Sequence, residues 1–106
     1  MIHIRAWRNA QSEIWKMSFS GHAGAGIQGE DVVCAAVSVL AQTLLLGLDQ
    51  YLPTDVQLLS HDEQKGELIY SWTPCPEQTA LILSVLHSLK LIAEQESSFV
   101  SFSEVS

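Results

Sequence analysis

The chain has 106 residues and a mass of 11.7 kDa, which suits one domain and leaves no room for two independent hydrophobic cores. Apolar residues make up 47% of the sequence and charged residues only 16%, which excludes an intrinsically disordered chain. Five lysines and arginines against twelve aspartates and glutamates give a formal net charge of −7. This charge repels nucleic acid and favours a basic protein or peptide as the partner.

Cysteine usage and the pattern of apolar residues predict where the protein works. The sequence contains two cysteines and no basic segment followed by an apolar stretch near its start, which together indicate a reducing, cytoplasmic location. The longest nearly apolar run, residues 32–48, is interrupted by Ser38, Gln42 and Thr43. Because it is shorter than the roughly 20 residues of a membrane-spanning helix, we predict a helix of a protein core and no membrane partner.

The first elements predicted along the chain are two strands and a loop. In residues 2–8 and 13–20, apolar residues alternate with polar ones or follow one another directly. The polar segment 9–12 between these two stretches predicts a β-hairpin. In the following segment, residues 21–29, four of nine residues are glycine. Glycine lacks the steric limits that a Cβ atom imposes, so this segment is predicted to be a loop.

A long first helix is predicted after the loop. It begins at Glu30 or Asp31, which suits an N-cap, and continues to about Tyr51. Apolar side chains occupy almost its whole circumference, so we expect it to be covered on more than one side. At about 100° per residue, one narrow polar stripe remains. The stripe consists of Asp31, Ser38, Gln42 and Asp49, with Cys34 at its edge.

The second half of the chain carries the remaining elements. Pro74 and Pro76 mark the start of a second helix. The predicted order ββαββαβ, with hairpins between adjacent strands, indicates one α+β domain over residues 1–106 with a mainly antiparallel β-sheet and two long helices. The additional predicted elements are strands at 56–62 and 67–73, a helix at 77–96 and a strand at 99–104.

A cysteine and a histidine are placed where thiol chemistry is favourable. Cys34 lies near the predicted N-terminus of the first helix, where unpaired backbone N–H groups and the helix dipole favour a thiolate. His22 lies at the exit of the second strand, so closure of the glycine-rich loop would bring imidazole and thiol together. Such a pair supports attack on an amide, with His22 as the base that later protonates the leaving amine. The first helical turn offers N–H groups to the oxyanion.

The neighbouring carboxylates work against this interpretation. Glu30 and Asp31 place negative charge beside the thiol and oppose thiolate formation, unless Asp31 caps the helix or orients His22. From spacing alone, a buried structural cysteine in an apolar helix therefore stays open as the alternative for Cys34.

Other patterns in the sequence carry weaker signals. Residues 24–29 spell G-x-G-x-x-G, but the acidic pair that follows would repel a pyrophosphate and no parallel βαβ unit is predicted, so a loop is favoured over a dinucleotide site. The set His22, Cys34, His61 and Cys75 lacks the spacing of a metal site. We therefore predict neither metal nor cofactor. The other histidines are interpreted as surface or strand-face residues: His3, His61 and His87.

The strand exit and the helix opening together form a specific combined motif. Residues 21–23 read Gly-His-Ala, and after the glycine-rich loop residues 29–38 read Gly-Glu-Asp-Val-Val-Cys-Ala-Ala-Val-Ser. This combination resembles the signature of the ribosomal-processing cysteine protease family called Prp. It is far more specific than an isolated cysteine or histidine.

The resemblance implies an intracellular bacterial cysteine endopeptidase that removes the short N-terminal extension of a large-subunit ribosomal protein precursor. It implies Cys34 as the nucleophile and His22 as its base. Asp31 and Ser38 occupy matching motif positions and would support the site, while Gly21 would shape the strand exit. It also implies a homodimer, which fits the excess of apolar helix surface. The alternative is a non-catalytic dimeric module that binds a basic ribosomal protein, with a merely structural Cys34.

Overall fold

The computed structural model describes residues 1–21 and 30–106. In these ranges the chain forms five strands and two long helices in the order ββαββαβ, which confirms the predicted α+β class. The elements are β1 (Ile2–Arg8), β2 (Ile14–Ser20), α1 (Glu30–Leu46), β3 (Gln57–Asp62), β4 (Glu67–Ser71), α2 (Thr79–Gln95) and β5 (Val100–Val105).

The five strands form one sheet in the order β3-β4-β2-β1-β5. The pairs β1–β2, β2–β4 and β3–β4 are antiparallel, and β1 pairs with β5 in parallel, so the predicted mainly antiparallel sheet is confirmed. The order places the β3–β4 hairpin directly beside β2, the strand whose end leads toward α1. This arrangement brings a hairpin from the second half of the chain next to the motif in the first half.

Both helices contribute side chains to one core against the same face of the sheet. The cross-strand pairs Ile4–Phe19 and Ala6–Met17 are buried, while the alternate residues His3 and Arg5 are exposed, as the period of two requires. Burial of a large aliphatic side chain contributes about 1.5–3 kcal/mol, so this layer holds both helices on the sheet. The helix residues in the core are Val33, Val37, Ala41, Leu44, Leu48, Ile82, Val85, Leu86 and Leu89.

Tyr70 joins α1 to the sheet by a hydrogen bond inside the core. Its side chain is fully buried, and its hydroxyl donates to the carbonyl oxygen of Ala41 at 2.7 Å. Burial raises the pKa of Tyr70 far above its ordinary value, so the hydroxyl keeps its proton as a donor. A bond of this kind contributes about 1 kcal/mol. It helps to position the helix that carries Cys34.

The helical segment is longer than α1 alone because a π-helical turn, Gly47–Tyr51, follows it and ends where the sequence predicted. The run Val32–Tyr51 is therefore 20 residues and, by length and composition, apolar enough to cross a membrane. Core helices of globular proteins meet the same criteria, and the inner face of this run lies in the core. Its outer side is not covered by the described chain: Val32, Val39 and Leu46 are exposed by 74%, 63% and 53%.

The entrance to α2 is organised by a buried glutamine. A 3-10 turn, Pro76–Gln78, precedes α2, so the regular helix begins two residues later than predicted. The Gln78 side chain is completely buried, and its Nε2 donates to Thr54 Oγ1 at 2.8 Å and to the Thr73 carbonyl at 3.1 Å. Its Oε1 accepts the backbone N–H of Cys75 at 3.1 Å. These bonds offset the cost of burying an amide and hold the loops around Cys75 in place.

The edge strand β5 is attached to its neighbours by a charged cluster. The Glu104 carboxylate accepts hydrogen bonds from Arg8 at 3.0 and 3.1 Å and lies 2.9 Å from Lys90 Nζ. The Arg8 and Lys90 hydrogen bonds lower the pKa of Glu104 to about 2. This cluster links β5 to β1 and α2, away from the motif-bearing end of α1.

Candidate active site

A cavity of about 290 Å³ lies between α1 and the β3–β4 hairpin. One of its walls carries Cys34, and the end of β2 closes another side. Polar groups from both walls surround an apolar interior, an arrangement typical of small ligand sites. The apolar lining consists of Ile2, Phe19, Val37, Ala41 and Leu68.

Cys34 is a free, half-buried thiol in the second turn of α1. It packs partly against the core and also lines the cavity. The thiol is thus open to a molecule in the cavity and is not sealed in the apolar interior. The N–H groups in the first turn of a helix lack intrahelical acceptors and attract an anion, and Cys34 lies close to this end of α1.

Ser38 lies one helical turn after Cys34 on the same side of α1. It is exposed, lines the cavity and accepts a hydrogen bond from Gln42 Nε2 at 2.8 Å. The polar stripe predicted on this helix therefore contributes its middle part, Ser38 and Gln42, to the cavity wall.

Gly21 ends the second strand in a conformation that side chains rarely adopt. Its φ is +105°, and a Cβ atom added there would lie 2.1 Å from the backbone carbonyl oxygen of Met1. Gly21 also lines the cavity. A glycine is required here both by the dihedral angle and by the close approach of the first strand.

Two of the predicted site residues lie outside what the structure describes. His22 belongs to residues 22–29, which also contain the G-x-G-x-x-G pattern, and these lie outside the described ranges. The backbone of Asp31 is part of α1, but its side chain is likewise outside the description. The structure thus brings Gly21, Cys34 and Ser38 to one cavity, and the contact between His22 and Cys34 stays a prediction.

The structure also brings to the cavity a residue that the sequence had indicated only as a surface or strand-face position. His61, at the end of β3, is exposed and lines the same cavity as Cys34. Of the four residues considered as a metal set, Cys75 is not part of this lining. Among the side chains that the structure describes, no group of three or more histidine, cysteine, aspartate or glutamate residues is arranged to hold a metal ion.

Comparisons with known proteins agree with this architecture. The family model of the cysteine protease Prp matches residues 1–101. The ribosomal processing protease Prp from S. aureus, solved in complex with a substrate peptide, is similar with a TM-score of 0.87 at 20% identity, covering 98% of this chain and 99% of that chain. Its complex with a covalently linked product peptide gives a TM-score of 0.85 at 20% identity, with coverage of 98% and 99%.

A further solved structure is more similar in sequence. SMU.848 from Streptococcus mutans is 27% identical, with a TM-score of 0.81 and coverage of 99% of this chain and 94% of that chain. No curated protein matches the chain at a significant level. The similarity to solved structures therefore extends over nearly the whole fold.

Proposed function

Because the chain belongs to the cysteine protease Prp family and is therefore a cysteine peptidase, we propose that residues 1–106 form one endopeptidase domain with Cys34 as nucleophile and His22 as base. Its substrate is the precursor of a large-subunit ribosomal protein, from which it removes the short N-terminal extension in the bacterial cytoplasm. The observation that carries this proposal is the half-buried Cys34 thiol in a cavity at the exit of the strand that leads to His22.

In the proposed reaction, His22 takes the proton of Cys34 and the sulfur attacks the carbonyl carbon of the scissile amide. Backbone N–H groups in the first turn of α1 stabilise the oxyanion. His22 then gives its proton to the leaving amine, the C–N bond breaks, and a thioester to Cys34 remains. Water loses a proton to His22, attacks the thioester and releases the second product, which restores the thiol.

Three residues support this chemistry in the proposal. Gly21 allows the chain to leave β2 close to the Met1 backbone, and His22 is the next residue in the sequence. Ser38 shapes the cavity wall one turn beyond the thiol, held by Gln42. Asp31, the second residue of α1, orients His22 or accepts N–H groups of the first turn, and a carboxylate paired in this way opposes thiolate formation less.

The net charge of the chain suits such a substrate. Ribosomal proteins are basic, and a formal charge of −7 attracts them over a distance limited by the salt concentration. Part of this charge lies at the cavity itself, because Asp62 and Glu63 contribute to its lining. Electrostatic attraction of this kind mainly accelerates the encounter between enzyme and substrate.

The proposed enzyme is a homodimer formed through the outer side of α1. Val32, Val39 and Leu46 follow at intervals of seven residues and share one exposed stripe.

We expect sedimentation equilibrium to give twice the mass of 11.7 kDa for the wild type. Val39→Glu should shift it toward the monomer, while Leu59→Glu on the exposed edge strand β3 should not. A monomeric wild type would contradict this part of the proposal.

The reactivity of the two cysteines tests the Cys34–His22 pair directly. Near neutral pH, iodoacetamide should alkylate Cys34 faster than Cys75, because only the thiolate reacts and Cys34 has both the helix N-terminus and a base near it. His22→Ala should slow the alkylation of Cys34 and leave that of Cys75 unchanged. Peptide mass spectrometry over a time course measures both rates in one sample. Equal rates for the two cysteines, or no effect of His22→Ala, would contradict the proposed pair.

A further inference from the structure

The β3–β4 hairpin forms the cavity wall opposite to α1, and its residue His61 faces that cavity. Antiparallel partners lie on the same face of a sheet, and the pairs Ile4–Phe19, Phe19–Leu68 and Leu68–His61 run across four strands in one row. Phe19 and Leu68 belong to the apolar lining of the cavity. His61 is therefore the outermost member of the row that forms the cavity interior.

A bulge in β3 puts His61 on this face. Leu58 pairs with Tyr70 and His61 pairs with Leu68, with a register shift between Leu58 and Ser60. Both partners, Tyr70 and Leu68, face the helices. In a regular strand, residues three apart lie on opposite faces, whereas the inserted residue at the bulge brings Leu58 and His61 to the same one.

The turn of the hairpin is held in shape by its carboxylates and not by His61. Asp62 Oδ1 accepts the backbone N–H groups of Gln64 and Lys65 at 3.0 and 3.1 Å. Glu67 Oε1 accepts the Ser60 hydroxyl at 2.6 Å. The side chain of His61 is exposed and makes no hydrogen bond or ion pair with the described part of the chain. Its imidazole is thus a donor and acceptor that the described residues do not use.

From this arrangement we infer that His61 is a substrate-binding residue, which hydrogen-bonds the backbone of the peptide that lies between α1 and the β3–β4 hairpin. The inference rests on the proposed function, since it names a contact of the same site. A cavity of about 290 Å³ is at the small end of ligand sites and holds only part of a peptide. The remaining backbone lies across the rim, where one imidazole offers both a donor and an acceptor to its N–H and C=O groups.

The expected effect of His61→Ala is a KM raised roughly fivefold with kcat unchanged, the scale of one lost hydrogen bond. His61→Gln keeps a donor and an acceptor and should recover part of the affinity. His87→Ala is the matched control, because His87 is an exposed histidine on α2 that does not line the cavity. The measurements are steady-state kinetics on a peptide spanning the cleavage site and the inhibition constant of its product peptide.

The rate of Cys34 alkylation separates a substrate contact from a role in activating the thiol. A substrate contact leaves this rate unchanged in His61→Ala, whereas a role beside the thiol would lower it and overturn the inference. An unchanged KM and inhibition constant in His61→Ala would also overturn it. Cleavage that persists in Cys34→Ala would instead overturn the proposed function, so the two failures are distinguishable.

Discussion

Replacing Cys34 with alanine is expected to reduce cleavage of the ribosomal precursor to background while the protein still folds and binds it. The substitution removes the sulfur that forms the thioester in the proposed reaction, so no acyl-enzyme can arise by that route. The thiol is half-buried and small, and its loss should cost less than about 1 kcal/mol of folding stability. Incubation with full-length precursor, read by intact mass spectrometry, measures the product, and circular dichroism with denaturant measures the fold.

Cys75→Ala serves as the control for the Cys34 experiment, since Cys75 is also a half-buried free thiol but does not line the cavity. It should cleave the precursor like the wild type. His22→Ala should reduce the chemical step roughly 100-fold or more, the scale of losing a general base. Retained cleavage in Cys34→Ala would exclude Cys34 as the nucleophile, and a wild type that binds without cleaving would favour the non-catalytic module.

Substitution of Gly21 by alanine is expected to lower the free energy of unfolding by at least about 2 kcal/mol and to lower kcat/KM as well. An L side chain is strained at φ +105°, and its Cβ would lie 2.1 Å from the Met1 carbonyl oxygen, which is backbone and cannot turn away. Either β1 or the end of β2 must then move. Because His22 follows directly in the chain, the shift displaces the proposed base. Urea unfolding and cleavage kinetics measure the two effects.

Gly47 offers a contrasting position for the same substitution. It lies in the helical continuation of α1, and the atoms nearest to an added Cβ all belong to the flexible side chain of Leu81, with its terminal Cδ2 atom closest at 2.5 Å. Alanine is better than glycine in a helix by about 1 kcal/mol, which offsets the adjustment of Leu81. We expect Gly47→Ala to stay within about 1 kcal/mol of the wild type. Equal unfolding midpoints for Gly21→Ala and the wild type would contradict the role of the Met1 contact.

The class of each element followed from local patterns, whereas several boundaries did not. Alternation predicted both hairpins, and the apolar run predicted α1 and the end of the whole helical segment at Tyr51. The π-helical form of that end is not a local pattern, and it lies where Gly47 approaches Leu81 of the second helix. The 3-10 turn before α2 likewise depends on the buried side chain of Gln78, and one of its hydrogen-bond partners, Thr54, comes from a loop that is distant in sequence.

The exposed stripe of α1 shows a similar limit. An apolar circumference indicated that the helix must be covered on more than one side, and the sheet and α2 cover only part of it. The pattern could not say which residues a neighbouring element would reach. Val32 and Val39 are left exposed because, among the described elements, the two-layer fold places no third layer over them.

The sequence alone determined the fold class and the family, and it predicted the pairing of a motif cysteine with a motif histidine, because all of these depend on residues close together in the chain. Only the tertiary structure decided which residues line the cavity wall opposite to Cys34. His61 reaches the cavity because β4 pairs with β2 and because the bulge in β3 turns the residues after it to the opposite face of the sheet. Strand order and bulges arise from packing between distant segments, and a local alternation of residue types does not encode them.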